Sequence, residues 1–111
     1  MDNIEYYRNE IEAQKKYISM LEDLQELEKN EAFKRLILEG YFKTYAADLV
    51  LLKASPTQAN EERQNSINNA IIGVGELNQY FSSVNQLAQT AKNKISSLEE
   101  AIQEAYIDNE E

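Results

Sequence analysis

The sequence predicts an all-α protein with a long C-terminal coiled-coil-like helix, an antiparallel N-terminal helix and a short helical hairpin. Three observations support this fold class. Helix breakers are scarce, with one proline and three glycines in 111 residues. Apolar residues recur at helical spacing along most of the chain, and strand-forming residues do not cluster in alternating runs anywhere. We expect a single helical domain over residues 1–111.

The N-terminal helix is predicted over residues 3–27. Its apolar residues follow three- and four-residue steps, with Gln14 in the one polar position, and they are Ile4, Tyr7, Ile11, Ile18 and Leu21. Glu and Lys occupy the other faces, as in the pair Glu12 and Lys16 at i,i+4. This pattern is typical of an amphipathic helix with coiled-coil character.

A helical hairpin is predicted over residues 31–54. Asn30 is a suitable N-cap for its first helix, and Gly40 is expected just past the end of that helix in a left-handed conformation. The second helix is the most apolar part of the chain and is expected to end at Ser55-Pro56. We expect this hairpin to be the best-packed part of the protein, with a core of Phe33, Leu36, Ile37, Leu49 and Leu52.

The long helix is predicted over residues 57–106, with Pro56 at its start. Its a positions are Ile67, Val74, Phe81, Ala88, Ile95 and Ile102, and its d positions are Ala70, Leu77, Val84, Ala91, Leu98 and Ala105. All of these heptad positions are apolar, which predicts a left-handed coiled coil or bundle. Gly73 and Gly75 lie inside this predicted helix, and we favour close packing or a kink there over a dynamic hinge.

The a and d residues form an apolar stripe along the long helix, which we call the seam. The predicted N-terminal helix is too short to cover the whole of it. We therefore expect part of it to bind a second copy or a helical partner, through Tyr80, Phe81, Val84, Ile95, Leu98 and Ile102. The polar positions between residues 57 and 91 are mostly uncharged amides and hydroxyls. Burial against a partner and simple composition bias both explain this feature.

Composition excludes most enzyme classes. The chain has no cysteine and no histidine, which removes thiolate and imidazole chemistry and the usual zinc and haem ligands. Two carboxylate clusters, at residues 22–28 and 99–104, are interpreted as solvated helix faces rather than metal sites. We expect no catalytic, cofactor-binding or metal-binding residues, and no enzyme activity.

The net charge is −9. Nucleic acid and anionic membranes are bound by basic surfaces, so we expect neither as a partner. No apolar run is long enough for a transmembrane helix, and the N-terminal residues lack the pattern of a signal peptide. We therefore expect a protein that is not secreted.

Residues 20–57 resemble a recurring segment of small tailed-bacteriophage proteins of unknown role. The resemblance is carried by Leu-x-x-Leu-x-x-Asn ending at Asn30, then Phe33-Lys34, Ile-Leu-Glu-Gly-Tyr at 37–41, and the stop Ala54-Ser55-Pro56. This chain departs from that pattern at Glu31-Ala32, where Pro-Asp is frequent, and at Thr44-Tyr45, where an acidic pair is frequent. The shared residues are structural, so no catalytic role is carried over.

The resemblance implies a phage origin and a role in the virion or its assembly. We expect a non-enzymatic component that binds other virion proteins through helix–helix contacts, as a homo-oligomer, in the virion or the host cytoplasm. The alternative is an acidic phage protein that inhibits a host defence or transcription protein. Mimicry of nucleic acid needs acidic groups aligned on one exposed surface, whereas here they concentrate at the two ends of the chain.

Overall fold

The computed structural model describes residues 3–110, and these form three helices with no strand. Helix α1 is Asn3–Lys29, and helix α3 is Glu61–Glu110. Between them, helix α2 consists of a first turn, Glu31–Phe33, a π-helical segment, Lys34–Tyr45, and an α-helical segment, Ala46–Ala54. The prediction of an all-α protein with a long C-terminal helix is confirmed.

Two asparagines determine where α2 and α3 begin. The side-chain oxygen of Asn30 accepts a hydrogen bond from the backbone N–H of Phe33 at 2.9 Å, as its predicted capping role requires. Asn60 caps α3 in the same way, through the backbone N–H of Arg63 at 2.8 Å. The predicted start of the long helix at residue 57 is therefore wrong, since Pro56 belongs to a separate 3₁₀ turn, Pro56–Gln58.

The hairpin predicted over residues 31–54 is instead one continuous helix. The backbone stays in the right-handed helical region at both internal junctions, with φ −63° and ψ −42° at Phe33 and φ −61° and ψ −42° at Ala46. No residue in 3–110 has a positive φ, so Gly40 does not adopt the left-handed conformation that we expected. Gly40 lies inside the π-helical segment. The chain continues there as a wider helical turn and does not reverse its direction as predicted.

The wide turns have a packing consequence. Four of the half-buried residues in the first two thirds of α2 stand four to five positions apart: Phe33, Leu38, Phe42 and Ala46. An α-helix repeats every 3.6 residues and would not keep these four side chains on one side. The π-helical turn, which closes between residues i and i+5, matches their spacing.

Replacing Gly40 with alanine tests this geometry. A methyl group at Gly40 would lie 2.8 Å from the backbone oxygen of Arg35, five residues earlier in the same helix. In an α-helix this substitution stabilises by about 1 kcal/mol. Here the backbone must move, so we expect a loss of about 1–2 kcal/mol in the free energy of unfolding, measured by thermal denaturation.

Gly75 is the matched control. It lies in α3, and a methyl group there meets no atom within 4 Å, so Gly75→Ala should stabilise the protein by about 0.5–1 kcal/mol. Equal stabilisation by both substitutions would show that residues 34–45 are an ordinary α-helix.

The described residues divide into two compact units. The first contains those of Met1–Leu24 and Ser83–Glu111. Here α1 runs antiparallel to α3, and the guanidinium of Arg8, near the start of α1, donates a hydrogen bond to the hydroxyl of Tyr106, near the end of α3. The core of this unit consists of Ile4, Leu21, Leu24, Val84, Ala88 and Ala91. Both alanines are completely buried, which places the small side chains where the two helices approach each other.

The second unit contains Gln25–Ser82. In it α2 runs antiparallel to the first part of α3: the ring of Phe33 contacts Phe81, while the ammonium group of Lys53 donates a hydrogen bond to the side-chain oxygen of Asn68 at 2.8 Å. Leu49 and Ile67 are its buried residues. Both α1 and α3 contribute residues to each unit, and the single domain that we expected stays a prediction.

The expectation that residues 31–54 are the best-packed part is wrong. Leu49 is the one buried residue among them, whereas Leu36 is 71% exposed and Leu52 is exposed as well. The predicted core assumed two helices packed against each other. A single helix buries only the side that faces α3, so Leu36 and Leu52 lie in solvent while Phe33 and Ile37 are half-buried.

Helix α3 does not break at its glycines. It is α-helical from Glu61 to Glu110 without interruption. A methyl group at Gly73 would lie 3.8 Å from the hydroxyl of Tyr41, an ordinary contact. Gly73 therefore lies under a side chain of α2, which agrees with close packing rather than a hinge.

Candidate interaction surface

The C-terminal segment of α2 is anchored to α3 by one side. Leu49 is buried, and Lys53, one turn later, bonds to Asn68 of α3. The amide group of Gln64 also donates a hydrogen bond to the backbone oxygen of Lys53 at 3.1 Å. These contacts establish which side of Ala46–Ala54 faces the second unit's interior.

The opposite side of this segment is apolar and exposed. An α-helix advances about 100° per residue, so Ala47, Val50, Leu51 and Ala54 lie together on the side away from Leu49. We call these four residues the outer face. Val50 is 61% exposed and Leu51 is 70% exposed, and both alanines are exposed as well.

Such a face is unusual on a helix with one buried side. The side away from the core is normally polar, yet Asp48 and Lys53 are the only charged residues in Ala46–Ala54. A helix that is apolar all round is typical of one that is covered on several sides. Exposed apolar surface of this kind marks interaction sites on soluble proteins.

The outer face also lies in a part of the chain without an acidic excess. Residues 31–54 have four basic and three acidic side chains, whereas the rest of the chain has seven basic and seventeen acidic ones. Two of the basic residues in α2 form ion pairs along the helix, Lys34 with Glu31 at 3.2 Å and Lys43 with Glu39 at 3.1 Å. The surroundings of the outer face are therefore close to neutral.

The six interface residues predicted from the sequence occupy different environments. Val84 is buried in the first unit, and Phe81 is half-buried against Phe33 and Phe42, with ring centroids 6.2 and 5.9 Å apart. Ile95, Leu98 and Ile102 are half-buried. Tyr80 is 56% exposed and alone among the six offers most of its side chain to solvent.

The interface prediction assumed that part of the seam would be exposed, and this premise is not met, whereas the six residues as an interface stay a prediction. None of the twelve a and d positions from Ile67 to Ala105 is exposed. The N-terminal helix covers the part in the first unit, and α2 covers the part in the second unit. Most of the stretch that we expected to remain open lies in Ser83–Glu111, which shares the first unit with α1, and α2, as one helix rather than a hairpin, covers the part before it.

A cleft of about 440 Å³ lies in the first unit between α1 and α3. Its walls include Tyr6 and Glu10 from α1, and Lys94 and Leu98 from α3. Most of its other lining side chains are uncharged and polar, and the cleft is open to solvent. Among the described residues, no group of three or more acidic side chains is placed to hold a metal ion.

Sequence reasoning missed the outer face although a signal was present. The sequence Ala-Ala-Asp-Leu-Val-Leu-Leu-Lys-Ala at 46–54 is apolar on most sides of a helix, with Asp48 and Lys53 as its charged residues. When such a segment packs against a single neighbouring helix, its opposite side remains exposed. The same apolar character also predicts a well-packed hairpin, in which no side of the segment remains exposed.

Comparisons with known proteins found no match. No family model, no curated protein and no solved structure matches this sequence. Within residues 3–110, no helix has the length and apolar content needed to cross a membrane. The candidate site is therefore defined by exposure, charge and helix geometry alone.

Proposed function

We propose that this chain is a non-enzymatic bacteriophage protein that binds other virion proteins through helix–helix contacts, as a component of the virion or of its assembly. The observation that carries the proposal is the outer face of α2. The phage origin comes from the resemblance of residues 20–57 to small proteins of tailed phages. We place the protein in the virion or the host cytoplasm, with protein partners and no nucleic acid or membrane.

The spacing of the outer face supports a helix-mediated contact. Its residues stand at positions i, i+3, i+4 and i+7, the spacing with which a helix lies in an apolar groove of a partner. Removing Val50 and Leu51 from water contributes about 2–4 kcal/mol together, given their exposure in the free chain. Such a contribution is large enough to determine where a partner binds.

A second candidate function rests on the charge distribution. Outside residues 31–54, acidic side chains outnumber basic ones by seventeen to seven. An acidic chain of this kind suits a basic site on a host defence or transcription protein. An inhibitor of that class would use the acidic surfaces and not the outer face.

The test is quantitative mass spectrometry of purified particles of the phage that encodes the protein. We expect the wild-type chain at a fixed copy number per particle. The double variant Val50→Asp, Leu51→Asp should lower its incorporation at least about 30-fold, because about 2 kcal/mol of contact energy is lost. Ile107→Asp is the control, since Ile107 is 58% exposed and lies in the other unit.

The free energy of unfolding of both variants should lie within about 0.5 kcal/mol of the wild-type value, since the substituted side chains are exposed. Absence of the wild-type chain from particles would contradict a role as a virion component. Incorporation that falls equally in the Ile107→Asp control would show that the outer face has no special role. Loss of function on neutralising the acidic residues alone would favour the inhibitor.

A further inference from the structure

We propose that α2 packs against α3 in two alternative registers, and that its π-helical segment, Lys34–Tyr45, selects between them. The structure shows the first, which we call the π register and in which Leu49 is buried. In the second, the α register, residues 34–45 form ordinary α-helical turns and a different side of α2 contacts α3. Both registers are properties of α2 itself, whatever partner the outer face binds.

The turn angle of the π-helical segment determines which side of Ala46–Ala54 faces α3. An α-helix turns by about 100° per residue, whereas a helix closed between residues i and i+5 turns by about 80–85°. Over the 12 residues of the segment the difference accumulates to roughly 200°. Conversion to α-helix therefore rotates Ala46–Ala54 by about half a turn relative to Phe33. That rotation moves Leu49 away from α3 and brings the outer face onto it.

The sequence of α2 contains a stripe that suits the α register. With Phe33 held against α3, residues at alternating four- and three-residue steps lie on the same side of an α-helix. These residues, which we call the α stripe, are Phe33, Ile37, Gly40, Thr44, Ala47, Leu51 and Ala54. Only Thr44 among them has a polar side chain. Their steps are those of a heptad repeat, so the stripe stays on one side of α2 along its whole length.

The two most exposed leucines of α2 lie on or beside the α stripe. Leu36 is 71% exposed and Leu51 is 70% exposed in the π register. Leu51 follows Phe33 by 18 residues, which is about five complete α-helical turns, so the two share the midline of the α stripe. Leu36 is three residues after Phe33 and lies at its edge. The α register thus buries the leucines that the π register leaves in water.

The period of α3 also matches the α stripe. In the second unit the seam of α3 follows alternating three- and four-residue steps, at Ile67, Ala70, Val74, Leu77 and Phe81. Two helices whose apolar stripes share this heptad period pack against each other along their length. Gly40 would then lie on the contact side, where the absence of a side chain lets the two backbones approach closely.

Contacts specific to the π register explain why α2 adopts it. The ring of Phe42 packs against Phe81, and Lys53 bonds to Asn68. In the α register both contacts are lost, and the side away from α3 contains Leu38, Phe42 and Leu49. The two registers therefore exchange one set of apolar contacts for another, as in proteins where two packings of one sequence are close in free energy. Since only the π register exposes the outer face, a partner bound there holds α2 in that register.

Thiol labelling at two neighbouring alanines distinguishes the registers. The sequence has no cysteine, so Ala46→Cys and Ala47→Cys each introduce a single thiol with a small change in volume. In the π register Ala46 is half-buried and Ala47 is exposed, so the Ala47→Cys chain should react faster with a maleimide. In the α register the order reverses, because Ala47 belongs to the α stripe and Ala46 lies away from it.

The double variant Gly40→Ala, Thr44→Leu should convert α2 to the α register. The methyl group at position 40 would lie 2.8 Å from the backbone oxygen of Arg35 in the π register, which disfavours that turn. Thr44 is exposed in the π register, and a leucine there completes the α stripe. In this background the ratio of the two labelling rates should shift at least about tenfold towards position 46, because burial of the added leucine favours the α register.

Gly75→Ala is the control background. It adds the same methyl group to α3, where no atom lies within 4 Å, and should leave the wild-type order of labelling unchanged. A helical double variant in which Ala47→Cys still reacts faster than Ala46→Cys would overturn the proposal. Loss of the helical circular dichroism signal in the double variant would overturn it as well, because the α register has to be a folded alternative.

Discussion

Replacing Phe81 with alanine is expected to lower the free energy of unfolding by about 3 kcal/mol. The Phe81 ring contacts Phe33 and Phe42 of α2, and the Phe42 contact is close to perpendicular, at 83°. Each aromatic pair contributes about 0.5–1.5 kcal/mol beyond the burial of apolar area. Chemical denaturation followed by circular dichroism measures this loss directly.

Tyr80→Ala is the matched control for this prediction. Tyr80 is the adjacent aromatic residue of α3 and is 56% exposed, so its removal should cost less than about 1 kcal/mol. Similar losses from both substitutions would contradict the aromatic cluster as the core of the second unit. A loss of self-association without a loss of stability in Phe81→Ala would revive the predicted interface at this position.

Replacing Ala91 with leucine is expected to destabilise the first unit by about 3 kcal/mol. Ala91 is completely buried, as is Ala88 one turn earlier. A larger side chain at either position has no space and must push α1 away from α3 or adopt a strained rotamer. We expect a lower midpoint of thermal unfolding, and the double variant Ala88→Leu, Ala91→Leu should fall further.

Thr90→Leu serves as the control for this packing prediction. Thr90 precedes Ala91, is exposed and lines the open cleft between α1 and α3, so a leucine there has solvent-filled space to occupy. Its stability should stay within about 0.5 kcal/mol of the wild type. An Ala91→Leu variant as stable as Thr90→Leu would show that the two helices are not in close contact at this position.

Local sequence signals predicted the helices and one of their caps. The helix α1, the length of α3 and the capping role of Asn30 all follow from spacing and side-chain chemistry within a few residues. The capping role of Asn60 could have been predicted by the same reasoning. Asn60 is followed by Glu61 and Glu62, and an acidic first turn is typical after an N-cap residue. Because proline is favoured in the first turn of a helix, Pro56 led to a predicted start of α3 at residue 57, four residues too early.

The backbone conformation at Gly40 could not be predicted from the neighbouring residues alone. A glycine after an apolar helical stretch is a frequent helix end, and it is equally suited to a π-helical turn in which a side chain would touch the carbonyl five residues earlier. Which of these forms depends on whether residues 41–54 can pack against α3. That choice involves contacts such as Phe42 with Phe81, which are distant in sequence.

The sequence by itself determined the helical class, the apolar seam of α3 and the strong acidic charge, because these depend on residue type and on spacing within one helix. Only the tertiary structure decided what covers that seam. A heptad pattern states that a face is buried but does not identify the covering helix. Once α1 and α2 cover it from Ile67 to Ala105, apolar side chains of α2 such as Val50 and Leu51 still lie exposed, because a mostly apolar helix can bury only one side against a single neighbour.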